Sequence, residues 1–250
     1  MKTIIVTGGT RGIGRAIVDM LVAKFKQNVP AVAQTRLVVT YRSGVAQADA
    51  LAAELKDLGI DADIQQMDLA DLSSVTAFVQ HVTQTYGKAD ALINNAGMTN
   101  DGSFLAMADA DVASLIHTNL NGTIALTEQM VPLLQQAGCS SVIFMASAAG
   151  VYGKEGQVPY ATTKGGIIGY SQLLARRYGR QRMYINAVAP GFIATDMVTA
   201  LDPAMFEHTL NNASIGSMGT PADVANVVHS LLTPGYIQAT TIKVDGGHLR

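Results

Sequence analysis

The sequence predicts a single α/β domain over residues 1–250, built on a doubly wound, seven-stranded parallel sheet with helices on both faces. Short β-branched runs alternate with longer amphipathic stretches, which is the order of strand and helix in such a sheet. The short runs are apolar on both faces, as buried parallel strands are. With 250 residues, 48% of them hydrophobic, the chain is long enough to form one large core, and no shift in composition marks a linker.

The predicted elements follow one another along the whole chain. Strands are expected at Ile4 to Thr7, Leu37 to Tyr41, Ala62 to Gln66, Ala91 to Ile93, Ser141 to Ala146, Tyr184 to Val188 and Thr241 to Val244. Helices are expected at Ile13 to Phe25, Ala46 to Leu58, Leu72 to Tyr86, Ala110 to Gln136, Pro159 to Tyr178 and Pro221 to Leu232. Two connections are unusual: Lys24 to Arg36 is interpreted as a long surface loop, and Ile193 to Met218 as either a flap over a substrate site or an ordinary surface helix.

Charge and cysteine content narrow the classes of function. Lys and Arg number 17 against 19 Asp and Glu, so the formal charge is −2 and gives no basis for binding nucleic acid or an anionic membrane. The single cysteine, Cys139, cannot form an intrachain disulfide, which favours a reducing, cytoplasmic setting. No signal peptide, membrane span or metal-ligand spacing is visible, and no metal is expected.

A glycine-rich segment, Thr7 to Gly14, follows the first predicted strand and opens the first predicted helix. Glycines let the backbone turn tightly and approach a phosphate, and the start of a helix favours an anion. The spacing differs from the common dinucleotide fingerprint, so the segment alone also fits a structural turn.

Tyr160 and Lys164 are four residues apart in a predicted helix, so they lie on the same helix face. A phenol near a fixed ammonium group can donate a proton. The alternative is an ordinary surface pair. Ser147 follows the fifth strand without the Gly-x-Ser-x-Gly pattern of a hydrolase nucleophile.

Taken in order, several motifs resemble the short-chain dehydrogenase/reductase family over nearly the whole chain. They are the glycine segment, Asn94-Asn95-Ala96-Gly97, Asn119, Ser147, Tyr160-Ala161-Thr162-Thr163-Lys164, Asn186 to Gly191 and Val244 to Gly247. The resemblance implies a Rossmann-like fold, a nicotinamide cofactor and a homotetramer with interfaces on the long helices.

The resemblance also assigns catalytic roles. Tyr160 is expected to be the general acid for carbonyl reduction, and Ser147 to bind the carbonyl oxygen. Lys164 is expected to lower the pKa of the tyrosine, together with the positive nicotinamide, and to hold the ribose hydroxyls. Asn119 is expected to anchor a water that relays protons to the lysine.

Cofactor-binding positions are carried over one by one. Asp68 corresponds to the acid that binds the adenine amine, with Leu69 beside it, and Asn95, Ala96 and Gly97 are expected to pass under the adenosine ribose. Ile193 and Thr195, after a Pro190-Gly191 turn, correspond to contacts with the nicotinamide amide and the diphosphate. The full expected set is Gly8, Thr10, Arg11, Gly12, Ile13, Gly14, Arg42, Asp68, Leu69, Asn95, Ala96, Gly97, Tyr160, Lys164, Pro190, Gly191, Ile193 and Thr195.

The second predicted strand ends in Val39-Thr40-Tyr41-Arg42-Ser43, without the acid that an NAD site uses for the ribose 2′-hydroxyl. Arg42 and Arg11 can instead bind a 2′-phosphate through charge-assisted hydrogen bonds. NADP(H) is therefore the expected cofactor, although either arginine could be a solvated surface charge.

Within the family, Gly191 to Met197 and Gly97 to Asp101 resemble the enzymes that reduce 3-oxoacyl thioesters of acyl carrier protein. Acetoacetyl-CoA reductases, other carbonyl reductases and alcohol dehydrogenases share the same catalytic residues, and a non-catalytic dinucleotide-binding protein is a third possibility. One departure bears on the substrate: residues 89 to 153 contain five acids and no Lys or Arg, where a docking surface for an acidic carrier protein is expected. Arg176, Arg177, Arg180 and Arg182 are the candidate substitute. Another departure is Gln238-Ala239-Thr240, where the family usually has a glycine-containing turn.

Overall fold

One seven-stranded sheet, parallel throughout, lies at the centre of the described chain. The computed structural model describes residues 1–27, 35–103, 106–195, 213–233 and 235–247. The strands are β1 (Lys2–Val6), β2 (Thr35–Tyr41), β3 (Asp61–Gln66), β4 (Ala91–Asn94), β5 (Ser140–Met145), β6 (Met183–Pro190) and β7 (Thr241–Val244). Their order is β3-β2-β1-β4-β5-β6-β7, which confirms the predicted fold class. The order reverses between β1 and β4, and ligands of such sheets bind at the carboxyl ends of the strands near that reversal.

Helices connect the strands and cover the sheet. They are α1 (Gly12–Gln27), α2 (Val45–Asp57), α3 (Leu72–Tyr86), α4 (Asp109–Ile116), a π-helical segment (His117–Gly122), α5 (Thr123–Gln136), α6 (Ala148–Tyr152), α7 (Val158–Tyr178), a 3-10 turn (Gly179–Gln181) and α8 (Pro221–Leu232).

The core has two layers, one on each face of the sheet. Because side chains alternate along a strand, Val38 packs into one layer while Leu37 and Val39 pack into the other. The first layer includes buried residues of α3, α5 and α7, and the second those of α1, α2 and α8. Both faces are therefore buried, which is why the strands are apolar at successive positions.

Two expectations about connections need correction, and a third is not tested. Helix α1 continues to Gln27 and β2 begins at Thr35, so Lys24 to Arg36 is not a loop at either end; residues 28–34 lie outside the described part. The helix expected from Ala110 to Gln136 is three segments, because a π-helical turn interrupts it. Most of Ile193 to Met218 lies outside the described residues, so neither interpretation of it is tested.

The alanine in the turn before β7 adopts the backbone conformation that glycine normally provides. Ala239 has φ 57°, in the left-handed region. The side chain of Gln238 stabilises this turn: its carbonyl oxygen accepts from the Ile185 amide at 2.7 Å, and its amide donates to the Met183 carbonyl at 3.0 Å. The substitution is tolerated here at some backbone strain.

Within the described residues, none of the helices has both the length and the apolar content needed to cross a bilayer.

Candidate active site

The turn between β1 and α1 is formed by glycines that have no room for side chains. A Cβ on Gly14 would lie 2.2 Å from the Gly8 carbonyl oxygen, and one on Gly9 would lie 2.5 Å from the Val39 side chain. Gly8 and Gly12 have φ of 64° and 56°. The first turn of α1 contains no acid, so its amide groups and positive dipole end remain suited to an anion. Thr10 and Arg11 lie in the turn itself, and Ile13 lies in the first turn of the helix.

Side chains from two other strands hold this turn in place. The Asn95 amide donates to the Thr7 carbonyl at 2.9 Å and to the Gly8 carbonyl at 3.1 Å. In return, the Thr7 hydroxyl accepts the backbone amides of Asn95 and Ala96, both at 2.9 Å. The Thr40 hydroxyl at the end of β2 accepts the Gly8 amide at 3.3 Å. The end of β4 therefore packs directly under the glycine turn, and the Asn95 side chain binds the turn.

On the side expected to hold adenosine, Asp68 follows β3. One carboxylate oxygen accepts the Ala70 amide at 2.9 Å, and the Asp68 backbone amide donates to Ser74 at 3.0 Å. The side chains of Arg11 and Arg42 are exposed and make no ion pair within the described part of the chain. Arg15, by contrast, pairs with Asp19 at 2.7 Å and Glu54 at 2.6 Å.

Lys164 is a buried cation at the centre of the cleft. Its side chain is 6% exposed, and its ammonium group donates to the Met145 carbonyl, at the end of β5, at 2.7 Å. Burial lowers the pKa of Lys164 to about 8. The ammonium nitrogen lies 5.7 Å from the centre of the Tyr160 ring, so α7 does place the two side chains on one face.

Asn119 lies in the π-helical segment and is fixed by both ends of its amide. Its oxygen accepts the Met98 amide at 2.8 Å, and its nitrogen donates to the Met98 carbonyl at 2.7 Å. A Cβ on Gly97 would lie 3.2 Å from the Asn119 amide oxygen and 3.6 Å from the Lys164 ammonium nitrogen. Gly97, Asn119 and Lys164 therefore converge, as the sequence predicts.

Ser147 ends the loop after β5 and begins α6, where its hydroxyl accepts the Ala149 amide at 3.2 Å. Its side chain also acts on the Tyr160 phenol and lowers the pKa of that group, so the two predicted residues lie close together. Burial raises the pKa of Tyr160 above its ordinary value, the Ser147 side chain lowers it by less, and the Asp101 carboxylate raises it by a smaller amount still.

This direction is opposite to the expected effect of Lys164 on the tyrosine. The Lys164 ammonium is directed to the Met145 carbonyl, and burial has the largest effect on the pKa of the Tyr160 phenol. The expected lowering of this pKa by Lys164 together with the positive nicotinamide concerns the cofactor-bound enzyme and stays a prediction.

The segment after β6 completes the cleft. Pro190 is the last residue of β6, and the Gly191 amide donates to the Val244 carbonyl at 2.9 Å. Ile193 is buried and forms an isolated parallel bridge with Gly219. A Cβ on Gly12 would lie 3.9 Å from the Thr195 side chain, so this segment meets the glycine turn, as expected if both contact the diphosphate.

Several positioning residues are absent from the sequence prediction. Thr7 and Thr40 show no signal beyond a hydroxyl at the end of a strand. Asp101 and Gln157 lie far apart in the chain, and only the structure shows their contact at 2.6 Å. Among the described residues, no group of three or more His, Cys, Asp or Glu side chains is arranged to hold a metal ion.

A doubly wound parallel sheet with a glycine turn at the start of α1, and a serine, tyrosine and lysine at the carboxyl ends of the strands, defines the class: a dinucleotide-dependent oxidoreductase. The model of the family "short chain dehydrogenase" matches residues 2–205. The chain belongs to this family, and membership implies a nicotinamide cofactor.

Curated relatives agree with that assignment. The chain is 34% identical over 248 residues to a 3-oxoacyl-acyl-carrier-protein reductase of Staphylococcus aureus, covering 98% of this chain and 97% of the relative. It is 34% identical over 249 residues to the protein of that name from Aquifex aeolicus, covering 98% and 96%. For the Salmonella typhimurium protein of that name, the identity is 32%, with the same coverage of 98% and 96%.

Proposed function

We propose that this chain catalyses the NADPH-dependent reduction of a 3-oxoacyl thioester to the 3-hydroxyacyl thioester, with Tyr160 as general acid. The observation that carries the proposal is the convergence of Ser147, Tyr160, Lys164 and Asn119 at the carboxyl end of the sheet, in a chain whose relatives are named for this reaction.

The glycine turn fits a dinucleotide because backbone, rather than side chains, faces the start of α1. When bound, the reduced nicotinamide supplies a hydride to the carbonyl carbon. Ser147 then donates a hydrogen bond to the carbonyl oxygen, and Tyr160 transfers its phenolic proton to that oxygen as negative charge develops. The Lys164 ammonium stabilises the resulting phenolate. Asn119 anchors the water that relays a replacement proton to the lysine.

The direct test measures NADPH oxidation in the presence of acetoacetyl-CoA, through the loss of absorbance of the reduced nicotinamide. Saturable turnover with formation of 3-hydroxybutyryl-CoA is the expected result. Turnover of simple ketones with none of the thioester would favour a carbonyl reductase of another class. Cofactor binding without turnover of either would indicate a non-catalytic protein.

NADPH is proposed over NADH because Arg11 and Arg42 are exposed and make no ion pair among the described residues. A 2′-phosphate would provide the acceptor that both guanidinium groups lack. Equal catalytic efficiency with both cofactors would contradict this proposal. So would an Arg11→Ala, Arg42→Ala double variant that keeps its NADPH selectivity, with exposed Lys56→Ala as the control.

For the acyl carrier, we propose that an acidic carrier protein is recognised through the arginine cluster, Arg176, Arg177, Arg180 and Arg182, all of which are exposed. Arg176 follows Tyr160 by sixteen residues of α7, so it lies roughly 24 Å along the helix axis and the carrier's arm must span that length. Neutralising the four arginines is expected to reduce kcat/KM for a carrier-linked substrate at low salt more than for a CoA-linked one. Equal reductions in kcat/KM for the carrier-linked and the CoA-linked substrate would refute carrier docking at this site.

For the assembly, we propose a homotetramer. The outer face of α7 supports an interface, because Leu173 is 61% exposed and a Cβ on Gly169 would meet no described atom within 4 Å. Light scattering of the wild type and of Leu173→Glu tests this, and a monomeric wild type would refute it. We further propose that the enzyme acts in the cytoplasm, which cell fractionation tests.

A further inference from the structure

Two loops meet beside Tyr160 and form one rim of the cleft, which we call the 101/157 rim (residues 99–103 and 153–157). Asp101 connects them: its carboxylate accepts hydrogen bonds from the Thr99 hydroxyl and, at 2.6 Å, from the Gln157 amide. The Gly102 amide donates to the Gly156 carbonyl at 2.9 Å. Both loops are therefore held in one arrangement by hydrogen bonds that do not involve a ligand.

Lys154 lies on this rim. Its ammonium nitrogen is 4.3 Å from the centre of the Phe192 ring, in a cation–π contact, and Phe192 directly precedes Ile193 at the expected nicotinamide end. Partial burial lowers the pKa of Lys154, and the Asp101 carboxylate raises it by less. Asp101 also acts on the Tyr160 phenol, so the ammonium and the proton donor are both close enough to the same carboxylate to feel its charge.

The Lys154 ammonium has no hydrogen-bond acceptor and no ion-pair partner within 4 Å among the described residues, while both Asp101 oxygens already accept hydrogen bonds. A half-buried ammonium with unused donors favours an incoming acceptor group. It disfavours an alkyl chain, which would displace water from the ammonium without accepting a hydrogen bond.

The two sides of a 3-oxoacyl thioester differ in this chemistry. The acyl chain beyond the ketone is hydrocarbon, whereas the thioester arm of CoA or of a carrier protein contains amide groups with carbonyl acceptors. We propose that Lys154 is a specificity-determining residue that donates a hydrogen bond to an amide carbonyl of the thioester arm and so directs that arm over the 101/157 rim. This inference rests on the proposed function.

The test compares two small substrates that share the reacting ketone. S-acetoacetyl-N-acetylcysteamine contains one arm amide, and ethyl acetoacetate contains none; both are uncharged, so long-range attraction does not enter. Lys154→Met is expected to reduce kcat/KM for the amide thioester about fivefold to tenfold, through KM, and to change kcat/KM for ethyl acetoacetate less than twofold.

Three variants complete the design. Lys154→Arg is expected to retain at least about half of the wild-type value, because it keeps the charge and the donors. Exposed Lys56→Met is the charge-matched control and is expected to leave kcat/KM unchanged for both substrates. Lys154→Ala replaces Lys154→Met if the longer apolar side chain lowers the thermal midpoint, because alanine also removes every side-chain donor.

Equal losses with both substrates, or no loss with the amide thioester, would refute the inference while leaving the proposed function intact. If the wild type turned over no 3-oxoacyl thioester at all, the proposed function would fail, and the inference would fail with it.

Discussion

The glycine turn and the catalytic cleft lie side by side at the carboxyl ends of the strands, but they satisfy their polar groups differently. Around the turn, the side chains of Thr7 and Asn95 make five hydrogen bonds with backbone groups. In the cleft, Lys164 is buried with its pKa lowered to about 8, and the pKa of Tyr160 is raised. In the first region, polar groups are satisfied by hydrogen bonds within the chain. In the second, a buried ammonium and a buried phenol are held in an electrostatically unfavourable environment.

This difference predicts which substitutions should affect stability and which should affect turnover. Removing a group from the turn should weaken the folded protein and its cofactor binding together. Removing a buried charge from the cleft should abolish turnover and stabilise the fold, as expected where a functional site is strained.

The largest expected effect is that of Tyr160→Phe. The substitution removes only the proton donor, so turnover should fall by about 10²–10⁴-fold while the NADPH dissociation constant stays nearly unchanged. Steady-state kinetics and a cofactor titration measure both. Tyr170→Phe, on the same helix and hydrogen-bonded to Glu128 at 2.9 Å, is the control and should remain active. A Tyr160→Phe enzyme that keeps more than about a tenth of the activity would refute the role of the phenol.

Lys164→Met tests the unfavourable charge directly. Because the folded pKa of Lys164 is about 8, below that of an unfolded lysine, the charged side chain destabilises the fold below pH 8, and this penalty disappears as the pH rises to the ordinary lysine value. Lys164→Met should therefore be inactive yet more stable at neutral pH, by on the order of 2–3 kcal/mol. Denaturant unfolding at neutral and alkaline pH measures the difference. A less stable variant at neutral pH would show that the hydrogen bond to Met145 outweighs the effect of burial.

Thr7→Val tests the turn. The variant keeps the shape of the side chain but leaves the amides of Asn95 and Ala96 without their acceptor, which should lower the free energy of unfolding by about 1–3 kcal/mol and weaken NADPH binding. Thr3→Val, equally buried on β1, is the matched control. If Thr7→Val destabilises the protein but leaves NADPH affinity unchanged, the hydrogen bonds of the turn contribute to stability and not to cofactor binding, against the prediction.

The smallest expected effect is that of Asp101→Asn on the pH profile. The Asp101 carboxylate contributes to the raised pKa of Tyr160, so neutralising it should move the alkaline loss of reductase activity to lower pH. A profile measured for kcat/KM tests this, with Asp109→Asn as the control. An alkaline limb that moves to higher pH, or stays in place, would contradict the assigned interaction.

The sequence predicts much of this arrangement because strand–helix alternation and motif order are local properties. All seven strands are where the β-branched runs indicate, and the segments Leu72–Tyr86, Pro221–Leu232 and Thr241–Val244 agree at both ends. Ser147, Tyr160, Lys164 and Asn119 could be found because the resemblance attaches a role to each position.

What the sequence does not show is how polar groups pair across distant segments. The partners of Thr7 are 86 to 89 residues away, and Asp101 and Gln157 are 56 apart. Helical spacing places Lys164 beside Tyr160 but gives no indication that the ammonium is directed to the Met145 carbonyl. Hydrogen-bond direction and burial decide the sign of the tyrosine pKa shift, and neither can be read from residue spacing.

Gly122, in the π-helical segment, packs against the loop of Leu69, which is expected to lie at the adenine end of the cofactor. A Cβ there would lie 2.1 Å from the Leu69 carbonyl oxygen, so the segment that contains Asn119 touches the main chain of the adenine side. The contact is backbone against backbone, and its length does not depend on side-chain rotamers. The spacing between the Asn119 segment and the Leu69 loop is therefore set by the main chain, and a side chain at position 122 would push the two segments apart.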